Sequence, residues 1–348
     1  MNRVIRVHTG SRLHFGLFSL PSQNAGPWLN LDGQPTMPRR KFGGIGLMID
    51  QPGVDLTVEE APEWSAEGPL ADRALQFAKS YCANLSASRA RASIPWSHGG
   101  EITKTFRIRI EQAAPEHVGL GTGTQLGLAV AGAVGRLIGP YGTGFSAIGN
   151  AIDIGRGLRS AIGIHGFDWG GFVVEAGKKA DDVVSPKIFF SDFPPQWGIL
   201  LILPRGLQGA HGRREVEAFA DLARCEADDR TTEALCRIVL LNMLPALEQF
   251  DLDDFGEAVF EFNRRSGAMF KSAQGGIYSH PRIEQIVLKL RELGIRGVGQ
   301  SSWGPAIFAI VPEPGIQSIR NQLIAMGVFG EDESLVTGAL NSPAHFPD

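Results

Sequence analysis

The chain has 348 residues, 44 of them glycine, and a formal net charge of −4 at pH 7. This length suggests two domains, and the acidic balance argues against a nucleic-acid partner. The longest strongly apolar run, residues 198–203, is far shorter than a membrane span, and the three cysteines have no metal-type spacing, so we expect a protein of the reducing cytoplasm.

The first half of the chain is predicted to mix strands and helices. Apolar alternation and short apolar runs predict strands over residues 4–8, 45–49, 54–58, 106–110, 172–175, 187–190 and 198–203. Helical spacing predicts helices over residues 70–85, 126–137 and 144–155. Segments rich in proline, glycine or small polar residues predict loops over residues 20–40 and 86–100.

The second half has a different pattern. Helices are predicted over residues 215–224, 231–249, 254–269, 281–293 and 316–326. Strands are predicted over residues 295–299, 306–311 and 334–337, so that helices and strands alternate from residue 281 onward. The closing alternation is typical of a split βαβ sandwich. A stretch rich in proline and glycine separates the two patterns, so we predict an α+β protein with a mixed α/β domain over residues 1–205 and a ferredoxin-like domain over residues 206–348.

A glycine-rich turn over residues 114–125 links a predicted strand to a predicted helix. Glycine lets the backbone approach a ligand closely, and the amides at a helix start carry the positive end of its dipole, so the turn predicts an anion site. A structural turn with an ordinary threonine cap is the alternative. The candidate phosphate ligands are Gly119, Gly121, Thr122, Gly123, Thr124 and Gln125. The hydroxyl of Thr122 or of Thr124 could also meet a phosphate-bound magnesium ion.

Three segments, 11–16, 115–121 and 297–305, occur in the same order as the motifs of the GHMP small-molecule kinase superfamily, which the chain resembles. In detail the sequence is similar to the β-ribofuranosylaminobenzene 5'-phosphate synthases, a branch of that superfamily without kinase activity. The segments that carry this closer resemblance are 11–17, 42–47, 119–125, 156–163 and 299–305. Kinases of the superfamily usually have two serines where this chain has Thr122 and Gly123, which argues against the use of ATP.

The resemblance implies a two-domain GHMP-type fold with the active site between the domains. It also implies condensation of phosphoribosyl pyrophosphate with 4-aminobenzoate, or a related 4-substituted benzoate, with release of CO2 and pyrophosphate in the synthesis of methanopterin-type cofactors. Mg²⁺ would be carried with the pyrophosphate. An ATP-dependent kinase of the same superfamily is one alternative, and a non-catalytic sensor of a phosphorylated metabolite is another. A homodimer is expected on base rates alone.

Several charged residues of the first domain are candidates for the site. Arg12 and His14 alternate on a predicted strand and share a face, so together they could bind a carboxylate or phosphate, or form a surface ion pair beside a packed histidine. Arg156 and Arg159 are predicted on one helical face as ligands of the 5'-phosphate, with compensation of a helix dipole as the alternative. Asp168 lies where kinases of the superfamily place a catalytic aspartate, so it is the candidate carboxylate for positioning or proton transfer.

Two loops are further candidates. Arg40, in a basic run before residue 42, could clamp a phosphate or carboxylate, or simply be solvated. The loop over residues 206–215 could close over the substrate with His211 or Glu215 inside, or merely connect the domains.

The C-terminal motif is predicted to bring the second domain to the cleft. Trp303 could stack on an aromatic substrate, although a core tryptophan is the more frequent outcome. The candidate ligands in this motif are Gln300, Ser301 and Ser302.

Overall fold

The computed structural model describes residues 3–22, 26–30, 32–92, 102–139, 146–209, 212–224 and 228–347. Its strands are β1 (Val4–Ser19), β2 (Trp28–Leu29), β3 (Pro35–Met37), β4 (Phe42–Ala61), β5 (Ser65–Glu67), β6 (Thr105–Gln112), β7 (Phe172–Glu175), β8 (Lys187–Ser191), β9 (Trp197–Ile202), β10 (Gly297–Gln300), β11 (Ile307–Pro312) and β12 (Ser334–Thr337).

The α-helices are α1 (Ala71–Ala92), α2 (Thr122–Ile138), α3 (Ala147–Asp153), α4 (Ile162–Trp169), α5 (Gly212–Leu222), α6 (Asp229–Ile238), α7 (Leu244–Glu248), α8 (Leu252–Ala268), α9 (Lys271–Gln274), α10 (Pro281–Glu292) and α11 (Ile316–Ala325). A π-helical segment, Val239–Met243, joins α6 to α7. A short 3₁₀ turn, Glu331–Glu333, precedes β12.

The first sheet is built around the antiparallel pair β1 and β4. The strands predicted over residues 45–49 and 54–58 are one continuous strand, whose two halves pair with β7 and β6 respectively. Register shifts in β1 fall between Thr9 and Ser11 and between His14 and Gly16. Such irregularities bend a strand and redirect its side chains. The second shift lies next to His14, at the point where β1 reaches the cavity described below.

Helix α2 fixes the position of the glycine turn. Its small and apolar residues, among them Leu126, Ala129, Val130 and Val134, are buried between the first sheet and the helices around it. A helix packed on this many sides cannot shift without opening the core. The N-terminal end of α2 is therefore held rigidly relative to β1.

The second sheet has the order β10-β11-β9-β12 and is antiparallel. Helices α10 and α11 pack on one face. On the other face, Phe255 and Phe262 of α8 share a core with Phe15 of β1 and Phe308 of β11, whose ring centroids are 4.8 Å apart. The two sheets therefore meet through one continuous apolar core, which fixes the second half of the chain against β1.

Most predicted elements are present, with some differences in their bounds. Helix α1 continues to residue 92, so the loop predicted from residue 86 is wrong up to that point, and residues 93–100 lie outside the described part of the chain. Strand β9 pairs in the second sheet, although it precedes residue 206, where the second domain was predicted to begin. Within the described ranges, no helix combines the length and the apolar character needed to cross a membrane.

Candidate active site

A cavity of about 710 Å³ lies where the two halves of the chain meet. Its walls come from the middle of β1, the glycine turn, the loop over residues 155–160, the face of α5 and the segment over residues 300–304. Arg73 of α1, Gly209 and side chains between residues 263 and 278 complete the lining, so the cavity draws on both halves of the chain.

The glycine turn lines this cavity and ends in the N-terminal end of α2. Gly121 is the N-cap residue, with φ at 72°, and Gly119 has φ at 95°. A Cβ atom on Gly119 would lie only 2.2 Å from the carbonyl oxygen of Ser301. The amides of Thr124 and Gln125 donate to the Gly121 carbonyl. The first two amides of α2 have no intrahelical acceptor, so they are the ones that can serve an anion.

Two side chains of the turn are committed to the protein itself. Gln125 is fully buried, where its amide oxygen accepts from the Thr9 hydroxyl at 2.7 Å and its nitrogen donates to the Gly163 carbonyl at 2.8 Å. The prediction of Gln125 as a phosphate ligand is therefore wrong. The Thr122 hydroxyl lines the cavity but donates to the Pro115 carbonyl at 2.8 Å.

Arg12 and His14 lie on the same face of β1, as predicted, and both line the cavity. The Nη1 atom of Arg12 donates to the Gly119 carbonyl at 3.0 Å. Burial lowers the pKa of Arg12 to about 10, so the guanidinium stays charged at pH 7. Burial and the nearby Arg12 charge hold the pKa of His14 well below its ordinary value, so the imidazole is neutral at pH 7. This strand thus supplies a fixed cation beside an uncharged donor and acceptor.

Arg156 and Arg159 line the cavity from the loop between α3 and α4. Their prediction on a helical face is wrong, because α3 ends at residue 153 and glycines with positive φ flank Arg156 on both sides. Burial, together with the charge of Arg73, lowers the pKa of Arg156 to about 10. Arg159 bonds Glu215 of α5 at 2.9 Å, and its guanidinium lies 4.6 Å from the centre of the Phe219 ring.

The structure adds an ion pair that sequence reasoning missed. Arg73, in the first turn of α1, pairs with Glu116 of the glycine turn, and both line the cavity. No motif marks Arg73, because it belongs to an amphipathic helix with no recognisable functional pattern. The only sequence signal is its charge near the start of a predicted helix.

Sequence reasoning also missed a buried carboxylate, Glu175, at the end of β7. Its Oε2 atom accepts from the Ala161 amide at 2.7 Å, and the Ser160 and Ser185 hydroxyls also stabilise its charged form. Burial nevertheless raises the pKa of Glu175 to about 7. The Ser160 hydroxyl lies 3.2 Å from Nε2 of His14. The Ser160 hydroxyl therefore lies between the Glu175 carboxyl group and the His14 imidazole of the cavity.

We expect the Glu175→Gln variant to be more stable, relative to the wild type, at pH 8 than at pH 5. The folded pKa of about 7 exceeds the ordinary value of 4.5, so the native state binds this proton more tightly than the unfolded chain does. The contribution of Glu175 to the free energy of unfolding must then fall as pH rises from 4.5 to 7, by roughly 3 kcal/mol in all. Urea unfolding at pH 5 and pH 8 measures this difference.

The exposed Glu292→Gln is the matched control, since its side chain is 66% accessible. Equal effects of Glu175→Gln at pH 5 and pH 8 would contradict a raised pKa.

The segment over residues 300–303 holds the two halves of the chain together. The Ser301 hydroxyl donates to the Gly119 carbonyl at 2.7 Å and accepts from the His14 amide at 2.9 Å, and its side chain does not line the cavity. The prediction of Ser301 as a ligand is therefore wrong. Gln300 and Ser302 line the cavity, but the Gln300 side chain already bonds the Ser279 amide and the Ser302 carbonyl.

Aromatic side chains form one wall of the cavity. Trp303 packs against Phe219 and Phe270, with ring centroids 4.9 and 5.0 Å away. All three residues line the cavity, and the Nε1 atom of Trp303 is buried with no acceptor among the described residues. A wall of this kind suits a flat aromatic ligand with a polar substituent.

Two other predicted site residues lie elsewhere. The Asp168 carboxylate accepts from the Ala147 amide at 3.2 Å at the start of α3 and does not line the cavity, so the structure does not bring this predicted catalytic group to the candidate site. Arg40 donates to the Gly177 carbonyl and pairs with Asp182, and it does not line the cavity, so the structure does not bring this predicted ligand to the candidate site either. In the loop over residues 206–215, Glu215 does line the cavity, whereas His211 lies outside the described residues.

The described residues contain no group of three or more histidine, cysteine, aspartate or glutamate side chains able to hold a metal ion. The acidic residues in the described lining are Glu116 and Glu215, and each is paired with an arginine. The Thr124 hydroxyl also lines the cavity. A magnesium ion at this site would therefore have to be held mainly by oxygen atoms of a bound phosphate, with few protein ligands.

Comparison with known proteins agrees with the fold. Residues 243–328 match the family model described as GHMP kinases C terminal. Mevalonate diphosphate decarboxylase from Staphylococcus aureus superposes with a TM-score of 0.63 at 12% identity, over 100% of this chain and 99% of its own. Homoserine kinase from Cytophaga hutchinsonii superposes with a TM-score of 0.62 at 13% identity, over 99% and 97%. The predicted GHMP-type α+β fold is thus confirmed.

Comparison of sequences goes further than the fold. The beta-ribofuranosylphenol 5'-phosphate synthase of Methanothermobacter thermautotrophicus is 31% identical over 97% of this chain and 97% of its own length. Such identity across nearly the whole of both chains covers the glycine turn, β1 and the C-terminal motif together. The chain therefore belongs to the beta-ribofuranosylphenol 5'-phosphate synthase family, whose members are pentosyltransferases.

Proposed function

We propose that the enzyme transfers the 5-phosphoribosyl group of phosphoribosyl pyrophosphate to 4-aminobenzoate or its 4-hydroxy analogue. The ring carbon that bears the carboxylate attacks the anomeric carbon, and the bond from the anomeric carbon to pyrophosphate breaks. The carboxylate then leaves as CO2, and its bonding electrons restore the aromatic ring. With 4-aminobenzoate the product is β-ribofuranosylaminobenzene 5'-phosphate, an intermediate of tetrahydromethanopterin synthesis.

The observation that carries this proposal is the pairing of cationic and aromatic walls in one cavity. The lining combines the glycine turn and the cations of Arg12, Arg73 and Arg156 with the aromatic rings of Phe219, Phe270 and Trp303. A phosphorylated, diphosphate-bearing donor needs the first, and a benzoate ring suits the second. The relative's name describes a ribofuranosyl 5'-phosphate joined to a phenol, which is the same type of product.

The residues of the site have separate tasks in this reaction. The first amides of α2 and the arginines stabilise the charge that develops on pyrophosphate as it departs. Arg12, whose guanidinium is fixed by Gly119, orients the donor. The neutral imidazole of His14 can donate or accept a hydrogen bond without adding charge beside the departing carboxylate. A bound Mg²⁺ would supply further charge neutralisation at the diphosphate.

The test is turnover with benzoates labelled in the carboxyl carbon, in the presence of phosphoribosyl pyrophosphate and magnesium. We expect one labelled CO2 for each pyrophosphate released, and retention of label in the product when the ring is labelled instead. Parallel reactions with 4-aminobenzoate and 4-hydroxybenzoate decide which substituent the enzyme prefers.

Two outcomes would replace this proposal. Conversion of ATP to ADP with an alcohol, and no CO2 from either benzoate, would favour a kinase. Binding of phosphoribosyl pyrophosphate without turnover on either benzoate would favour a sensor. The glycine at position 123, where kinases of the superfamily usually have serine, argues against the kinase.

A further inference from the structure

We propose that Arg73 and Arg156 form a clamp over the start of α2 that binds the diphosphate of the donor, separately from the site of its 5'-phosphate. The identity of this anion rests on the proposed function, but the existence of the clamp rests on geometry alone. The clamp occupies the space above Gly123, where kinases of the superfamily usually have a serine side chain.

The absence of a side chain at position 123 is what lets the two guanidiniums approach the turn. A Cβ atom on Gly123 would lie 2.6 Å from Nη2 of Arg73 and 3.1 Å from Nη2 of Arg156. Both guanidiniums also lie over the ring of Phe77, with their central carbons 5.7 and 5.1 Å from its centroid. Two arginines from distant segments therefore converge on one point beside the first amides of α2.

The protein balances the positive charge at this point only in part. Arg73 pairs with Glu116, whereas Arg156 forms no ion pair within the described part of the chain, and its Nε atom is buried without a hydrogen-bond partner. Burial and the charge of Arg73 lower the pKa of Arg156, with only partial compensation from Glu215, and the positive end of α2 adds to the same field. An uncompensated, partly buried charge is costly, so a bound anion relieves both the repulsion and the missing hydrogen bond.

A diphosphate fits this arrangement better than a single phosphate group. Each arginine can bind one phosphoryl group through two parallel hydrogen bonds, while the helix amides bind the oxygens between them. Arg159 faces a different part of the cavity, where it bonds Glu215 and covers Phe219. The clamp therefore takes Arg156 for the diphosphate and leaves Arg159, which the sequence had grouped with it, for the 5'-phosphate.

The clamp predicts that substitution of Arg73 weakens the binding of inorganic pyrophosphate but not that of ribose 5-phosphate, both measured by calorimetry on the full chain without divalent metal. Arg73→Ala should weaken pyrophosphate binding about tenfold or more, because it removes a charged bidentate donor. Ribose 5-phosphate should bind within about threefold of wild type, since Arg159 is untouched. Arg73→Lys should be intermediate, since lysine keeps the charge and loses the planar fork.

A matched control and a second variant make the test independent of folding. Arg136→Ala removes a half-buried arginine that lies over the Phe346 ring at the opposite end of α2, and should leave pyrophosphate affinity unchanged. Gly123→Ser keeps every charge but fills the space between the guanidiniums, so it should also weaken pyrophosphate binding about tenfold. Melting curves report whether each variant is folded. If Arg73→Ala does not fold, the pyrophosphate affinity of Gly123→Ser tests the clamp instead.

Wild-type pyrophosphate affinity in folded Arg73→Ala and Gly123→Ser would overturn the clamp, as would a wild-type protein that does not bind pyrophosphate. An equal loss of ribose 5-phosphate binding would overturn the separation of the two phosphate sites. If the enzyme turns over a benzoate but Arg73→Ala binds pyrophosphate as well as the wild type does, the proposed function stands and the clamp does not. Selective loss of pyrophosphate binding without turnover on any benzoate would uphold the clamp and reject the proposed reaction.

Discussion

Replacement of Gly121 by alanine is expected to lower kcat/KM by about 100-fold, comparable to the loss of a preorganised donor from an active site. Gly121 has φ at 72°, and a Cβ atom there would lie 2.7 Å from Cγ of Arg12. Cγ is close to the backbone of a packed strand, so Arg12 cannot move aside easily. The Gly121 carbonyl also accepts the amides of Thr124 and Gln125, so a shift of this residue turns the whole start of α2.

Gly327→Ala is the matched control for the Gly121 variant. Gly327 has φ at 70° but open space where its Cβ would lie, so it carries similar backbone strain without a clash. We expect both variants to lose stability from that strain, about 1–2 kcal/mol, and only Gly121→Ala to lose turnover. Steady-state kinetics and melting curves of the pair separate the two effects. An unchanged kcat/KM in folded Gly121→Ala would remove the glycine turn from the site.

Replacement of Arg12 by alanine is expected to reduce kcat/KM by about 100-fold or more, since truncating a buried charge that binds a ligand commonly costs several kcal/mol. The Arg12 guanidinium is charged at pH 7, donates to the Gly119 carbonyl and lines the cavity. Its loss removes both a donor for the substrate and a support of the turn. Arg12→Lys should recover part of the affinity for phosphoribosyl pyrophosphate but little of kcat, because an ammonium cannot bond both partners in one plane.

Arg6→Ala on the same strand is the matched control for Arg12. Arg6 forms an exposed ion pair with Asp55 at 2.7 Å, far from the cavity, and its loss should leave kcat/KM unchanged. The Arg12 assignment fails if folded Arg12→Ala keeps kcat/KM within about threefold of the wild type, a change of less than 1 kcal/mol.

The GHMP fold itself does not decide between these chemistries. A solved decarboxylase and a solved kinase superpose on this chain about equally well, and both are less than 15% identical to it. The difference must lie in side chains at the shared turn. Position 123 is such a place, because a Cβ atom there would contact the guanidiniums of both Arg73 and Arg156.

The sequence by itself determined the features that depend on neighbouring residues. Alternation along β1 was enough to bring Arg12 and His14 to one face, and the glycine turn before an apolar helix was enough to locate the N-terminal end of α2. Motif order across the chain was enough for the family, because motifs preserve the local geometry that a shared ligand requires.

Only the tertiary structure decided which polar side chains are available to a ligand. Gln125 and Ser301 stand within motifs, yet their hydrogen bonds go to Thr9 and Gly119, which are 116 and 182 residues away in the sequence. Arg73 stands within no motif, yet α1 brings it to the turn. A side chain's availability depends on whether its polar atoms are already satisfied, and those partners come from packing between distant segments, which no local pattern records.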